Sequence, residues 1–229
     1  MLYLYAITDD AAGPFERTGL HGSVLRTVGA DGLYAVVSQH VDLRLEATED
    51  DLWVHESVVE EVMERAVALP MRLGSVLADE MEVLELLRER REELTATLDR
   101  VRGTVELGVR AAIEPLPGAE PESTPAGSGP GTAYMLRRLG QARRGAEVAA
   151  RIHEPLAMLA RESRHRLGNG APAGGSRRPQ LSASYLVDRG RVDRFRARVE
   201  ELEHEVAEAS IVCTGPWPPY SFTSTESGS

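Results

Sequence analysis

Acid–base, nucleophilic or metal chemistry in this chain would have to come from six histidines, one cysteine and a surplus of carboxylates. His55, Asp79 and Cys213 are of the types that make a base, an orienting acid and a nucleophile. Their sequence distances neither forbid nor support a meeting, which would need a cleft between two domains. His21, His40, His55, His153, His165 and His204 show no compact ligand spacing. A lone cysteine rules out both an internal disulfide and a cysteine metal cluster. The expectation is therefore no catalytic residue, no metal and no organic cofactor. The glycines closing residues 115–131, PLPGAEPESTPAGSGPG, resemble a phosphate loop only superficially, because no Lys-Ser or Lys-Thr follows them.

The basic side chains suggest recognition instead. All of them are arginines, and the formal net charge is -10. That acidity argues against nonspecific nucleic-acid affinity and against attachment to anionic lipid. Arg137, Arg138, Arg143, Arg144 and Arg151 share the outer face of one expected helix, with Arg161, Arg164 and Arg166 further along it. On an acidic body, such a face suits either contacts within the fold and solvent, or the docking of an acidic partner. Arg72 alternates with apolar neighbours and either points to solvent or pairs with a carboxylate.

An α+β fold must position these residues, and its organising stretch is Leu69–Glu80, LPMRLGSVLADE. Pro70 ends the helix before it, a short buried strand follows, and Gly74 permits a turn. Asp79, with Glu80 and Glu82, starts the next helix. Leu2–Ile7 predicts a first strand, and the runs around Val28 and Leu33–Val37 predict a hairpin about Asp31-Gly32. Helices are predicted from about Asp51 to Ala68 and from Asp79 to about Val101. The first has Leu52, Val59, Val62, Met63 and Ala66 inward, and His55 in the same stripe as a core-edge histidine bonded to backbone. After Gly103 a strand carries Val105, Leu107 and Val109. One long helix is predicted from Thr132 to about Leu167, kinked or divided at Pro155, its inner stripe running from Met135 and Leu139 to Leu156 and Leu159. A strand Leu181–Val187, an amphipathic helix from Val192 to Val206 and a strand Ile211–Thr214 complete the order.

Residues 115–131 and 168–180 read as flexible loops. Trp217, Tyr220 and Phe222 project from GPWPPYSF, either as a latch or as an exposed contact. The pattern predicts two small α/β-sandwich domains, 1–111 and 112–229, the second with a long helix packed on a small sheet. The start MLYLYAITDD lacks a basic leader, and no apolar run approaches the roughly 20 residues that span a bilayer, which predicts a cytoplasmic protein.

Several blocks in order resemble the gas vesicle protein F/L family. They are Tyr3-Leu4-Tyr5-Ala6-Ile7, Trp53 with His55, the run Leu69-Pro70-Met71-Arg72-Leu73-Gly74-Ser75-Val76, residues 103–109, Ser184-Tyr185-Leu186-Val187, and residues 215–222. The block at 69–76 is the most specific, with Leu73 where relatives tend to carry Phe. The resemblance implies a modified ferredoxin-like N-terminal domain. It also implies a non-enzymatic accessory factor of gas vesicle formation that binds the small hydrophobic shell protein and other accessory proteins, and can remain as a minor vesicle component. No nucleic acid and no lipid membrane are expected as partners. The interaction or structural candidates are Arg72, Gly74, the five helix arginines from Arg137 to Arg151, Trp217, Tyr220 and Phe222. Two other classes compete: a cytosolic enzyme with an interdomain cleft, and a nucleic-acid module using a sheet face with the arginine helix.

Overall fold

The computed structural model describes residues 1–42, 48–114, 129–170 and 178–223. Two compact units are present. One combines Met1–Val105 with the segment from Trp217 onward, and the other is Glu106–Pro216.

In the first unit the sheet order is β2-β3-β1-β4, with β1 at Leu2–Thr8, β2 at Leu25–Ala30, β3 at Leu33–Gln39 and β4 at Ala68–Pro70. Strand β1 is paired on both edges, and all its residues are buried, which is why it is a continuous apolar run and not an alternation. The predicted hairpin forms between β2 and β3. Asp31 and Gly32 take φ of 51° and 84°, the left-handed pair whose twist matches antiparallel strands.

Helix α1 (Glu49–Arg65) opens with a capping box: Thr48 Oγ1 accepts from the Asp51 amide at 3.1 Å, and Asp51 accepts from the Thr48 amide at 3.3 Å. It ends short of the expected Ala68, because Ala68, Leu69 and Pro70 are taken into the ladder opposite Thr8, Ile7 and Ala6. Pro70 is tolerated in this short piece at the sheet edge. Strand β5 (Val76–Leu77) rejoins β1 at Tyr3 and Leu2. Residues 68–77 thus follow one edge of β1 in two pieces, joined by a turn in which Gly74 has φ of 90°. Asp79 then caps the next helix, its Oδ1 accepting from the Glu82 amide at 3.1 Å. The single helix expected to Val101 is two, α2 (Glu80–Glu89) and α3 (Arg91–Val101), because Arg90 leaves helical geometry at φ −102°, ψ 17°. Val83 and Leu87 before the break, and Leu94, Leu98 and Val101 after it, are all buried.

The second unit runs β6 (Thr104–Ile113, begun in the first unit), α4 (Pro130–Ala157), β7 (Glu162–Gly170), β8 (Arg178–Asp188), α5 (Val192–Glu205) and β9 (Ala209–Trp217). Its sheet order, β7-β8-β6-β9, gives the split βαββαβ arrangement of ferredoxin-like folds. One core joins Ile152 and Leu156 of α4 and Phe195 and Leu202 of α5 to Leu107 and Tyr185 of the sheet.

The long helix stops at Ala157, with Pro155 in its last turn, and the residues expected to extend it to Leu167 form β7 instead. Strand β7 has no β-branched residue, so its side chains do not announce a strand; main-chain pairing to β8, from Glu162 opposite Leu186 to Gly170 opposite Arg178, overrides local propensity. The same ladder makes strand of Gly168–Gly170 and Arg178–Gln180, expected within the flexible loop 168–180, since backbone bonds need no apolar side chain. Residues 171–177 and 115–128 of the two expected loops lie outside the described residues. Gly129 is the N-cap of α4 and Pro130 its first residue, a placement that suits proline's missing amide.

Candidate interaction site

His55 is buried and uses both ring nitrogens. Nε2–H donates to the Met71 carbonyl at 2.9 Å, and Nδ1 accepts from the Tyr3 hydroxyl at 2.8 Å. The Gly74 amide donates to the same Tyr3 oxygen at 3.2 Å. This tautomer follows from the Met71 carbonyl, which can only accept. Burial lowers the imidazole's pKa and pushes Tyr3 up to about 12. With its lone pair engaged, His55 ties α1 to β1 and to the turn before Gly74, and it has none left for base chemistry. Asp79 spends Oδ1 on the α2 cap. Cys213 lies in β9 beside the second unit's core, its thiol pushed up by burial. Each member of that reactive trio therefore has a structural task inside its own unit. Among the described residues, no three His, Cys, Asp or Glu side chains form a metal-binding group.

Histidine pairs that sequence spacing concealed do form. The rings of His21 and His40 lie 6.0 Å apart, and those of His153 and His165 lie 3.9 Å apart. The second pair joins α4 to β7, the element misread as helix, and His153 Nδ1 shares a 2.8 Å hydrogen bond with the Tyr185 hydroxyl.

The aromatic tail divides. Phe222 is fully buried and its carbonyl accepts from Arg100. Tyr220 lies 6.4 Å from the His55 ring, and burial, reinforced by nearby Glu56, holds its phenol well above the usual range. Both belong to the first unit, in a short helical turn and not an extended strip. Trp217 stays partly exposed at the end of β9. Arg72 is exposed and has no ion pair among the described residues.

One end of the first unit's sheet gathers apolar side chains in solvent. The register sets Leu2 opposite Gln39 and Leu25 opposite Ser38, so Met1, Val24 and Val41 all fall at the end of the sheet where β1 and β2 begin and β3 ends. Val24 is 81% exposed and Val41 99%. The His40 amide donates to Met1 O at 3.0 Å and the Met1 ammonium donates back to His40 O at 3.1 Å, which holds the two chain segments side by side. Strand β5 brings exposed Val76 to the same end, opposite Tyr3. The His21–Asp51 contact at 3.8 Å draws in the first turn of α1, with exposed Leu52 and Trp53. Sequence reading put Leu52 in the inner stripe and did not find this surface, because it is assembled by register across four segments.

On α4 the arginines separate by role. Arg151 is held within the second unit by Glu208 at 2.5 Å. Arg143 pairs with Glu147 at 3.4 Å while remaining largely in solvent. Arg138 and Arg144 are exposed with no ion pair among the described residues, and the Arg137 side chain lies outside them. Near the other end of α4, a groove of about 610 Å³ is lined by Pro155, Met158 and Leu159 with Arg194 and Ala197 of α5. Among the described residues no helix is long and apolar enough to cross a membrane.

A family model described as gas vesicle synthesis protein GvpL/GvpF matches residues 1–224. Gas vesicle protein F1 of Halobacterium salinarum is 29% identical over 232 residues, covering 99% of this chain and 94% of that protein. Gas vesicle protein L of a Streptomyces species is 29% identical over 245 residues, covering 96% and 91%. The crystal structure of gas vesicle protein GvpF from Anabaena sp. PCC7120 matches with a TM-score of 0.80 at 22% identity, covering 99% of this chain and 97% of that one. That of GvpF from Microcystis aeruginosa matches with a TM-score of 0.77 at 21% identity, covering 97% and 98%.

Proposed function

The chain belongs to the gas vesicle synthesis protein GvpL/GvpF family, and from that premise we propose that it shields the small hydrophobic shell protein before assembly, through the apolar end of its first unit. The family gives the broader role: a non-enzymatic, cytoplasmic accessory protein of gas vesicle assembly. A subunit destined for a gas-facing wall carries apolar surface that water drives into aggregates. An acidic companion covering that surface keeps the pair dispersed, and this chain's net charge is -10.

The observation that carries the reading is the exposure of four apolar side chains, Met1, Val24, Val41 and Val76, at one end of the sheet. A single exposed apolar residue is ordinary, but several at one end of one sheet offer a partner apolar area to cover. The test is co-purification with the shell protein made in the same cell, for the intact chain and for the Val24→Asp/Val41→Asp double variant. The intact chain captures the shell protein; the double variant, with an unchanged circular dichroism spectrum, loses most of it. Full retention by the variant moves the contact to another surface. Failure of the folded intact chain to capture the shell protein ends the shielding mechanism. Fractionation of washed vesicles then separates a departing factor from a minor vesicle component.

A further inference from the structure

The helical stripe that packs the second unit's core at Ala149, Ile152 and Leu156 continues toward the start of α4 through Ala146, Ala142, Leu139 and Met135. There no described residue covers it: Met135 is 58% and Leu139 63% exposed, and Ala142 and Ala146 are exposed as well. The uncovered face spans about three turns, roughly 16 Å. Arg138 and Arg143 border it, one on each side at helical spacing, and no acidic residue occurs between Met135 and Ala146. The Arg143–Glu147 pair is too exposed to neutralise this border. An apolar stripe and a positive rim thus coincide on a protein that is acidic overall.

We propose that this face of α4 docks an amphipathic helix of a partner protein, one whose apolar stripe is flanked by Asp and Glu. Ala142 and Ala146 allow a second helix to approach closely, while Met135 and Leu139 supply ridges for its grooves. A lipid surface fits less well, because two bulky side chains give little apolar area to bury among acyl chains. A second copy of this chain fits less well too, since pairing α4 with α4 would set its arginines against arginines. Acid-flanked helices satisfy both the stripe and the rim. The proposal concerns the second unit and stands apart from shell-protein capture by the first.

The probes are a synthetic amphipathic peptide of about 18 residues, long enough to form a helix on contact, with a leucine stripe flanked by Glu; its counterpart with Lys for every Glu; and phosphatidylglycerol-containing vesicles. Fluorescence anisotropy with the intact chain reads peptide binding, and co-sedimentation reads vesicle binding. The Glu peptide binds about tenfold or more tighter than the Lys peptide. The Arg138→Glu/Arg143→Glu variant reverses that preference, and Leu139→Asp abolishes binding of both. The Val24→Asp/Val41→Asp variant binds the Glu peptide as the parent does, which separates this site from the shell-protein surface. Binding of neither peptide, equal binding of both, a preference that survives charge reversal, or vesicle binding without peptide binding overturns the proposal. So does self-association of the intact chain in sedimentation that Leu139→Asp removes.

Discussion

Replacing Gly74 with valine tests whether the turn between β4 and β5 holds the first unit together. Gly74 sits at φ of 90°, where L side chains are strained and a β-branched one most of all. Keeping that backbone with a side chain costs about 1–3 kcal/mol. If the backbone moves instead, the Gly74 amide leaves the Tyr3 hydroxyl 3.2 Å away, forfeiting about 1 kcal/mol. The adjoining 2.9 Å bond from the Leu4 amide to the Ser75 carbonyl is then disturbed as well. Either route predicts a loss of roughly 1–3 kcal/mol. At about 2–4 °C per kcal/mol for a chain of this size, the melting temperature falls by roughly 2–12 °C. Circular dichroism melts of Gly74→Val and Gly74→Ala read this, with alanine losing less because it lacks the branch. In a cycle with Tyr3→Phe, the two losses combine to less than their sum, since both act on one hydrogen bond. A valine variant that melts with the parent refutes the structural role given to this turn.

Acid is expected to weaken the fold through buried histidines. Burial lowers the His55 pKa, so the unfolded chain binds its proton more readily; the stabilisation is complete above the unfolded value near 6.5 and is lost as pH falls through it. Urea midpoints therefore decline below that pH, and His55→Gln flattens the decline without removing it, because His40 and His153 are also lowered by burial. An identical pH slope in the variant counts against the account. Thr48→Ala removes the side-chain half of the α1 capping box and costs about 1 kcal/mol in urea denaturation. A change of only a tenth or two would mean that the cap contributes nothing in solution.

Local chemistry made parts of this fold legible. Asp31-Gly32 specifies its hairpin by the two positive φ values that turn needs, and Asp79 specifies the start of α2 through its own carboxylate. His55 was recognisable as a backbone-bonded core histidine from its place in the α1 stripe, but its partner Tyr3, 52 positions away, was not. The errors share one cause, which is pairing decided at a distance. Residues 162–167 carry arginines at a rhythm that extends α4, and only β8 makes them a strand. Residues 80–101 contain neither Gly nor Pro, so nothing local announces the break at Arg90. The stripe on α4 was legible as apolar, yet periodicity cannot say where a helix outruns the sheet that covers it. The exposed sheet end that carries Val24 and Val41 lay beyond sequence reading for a similar reason, since only strand register brings those segments to one end.

The first unit draws on both ends of the chain: Phe222 is fully buried there, and its carbonyl is held by Arg100, 122 positions earlier. A ribosome adding about 5–20 residues per second delivers Phe222 roughly 6–24 s after Arg100. During that interval the nascent N-terminal unit has an empty socket, while all of Glu106–Pro216 is being made and is free to fold. The unit whose translation starts first is thus completed after the second, and a fault at Phe222 registers in the fold of Met1–Val105.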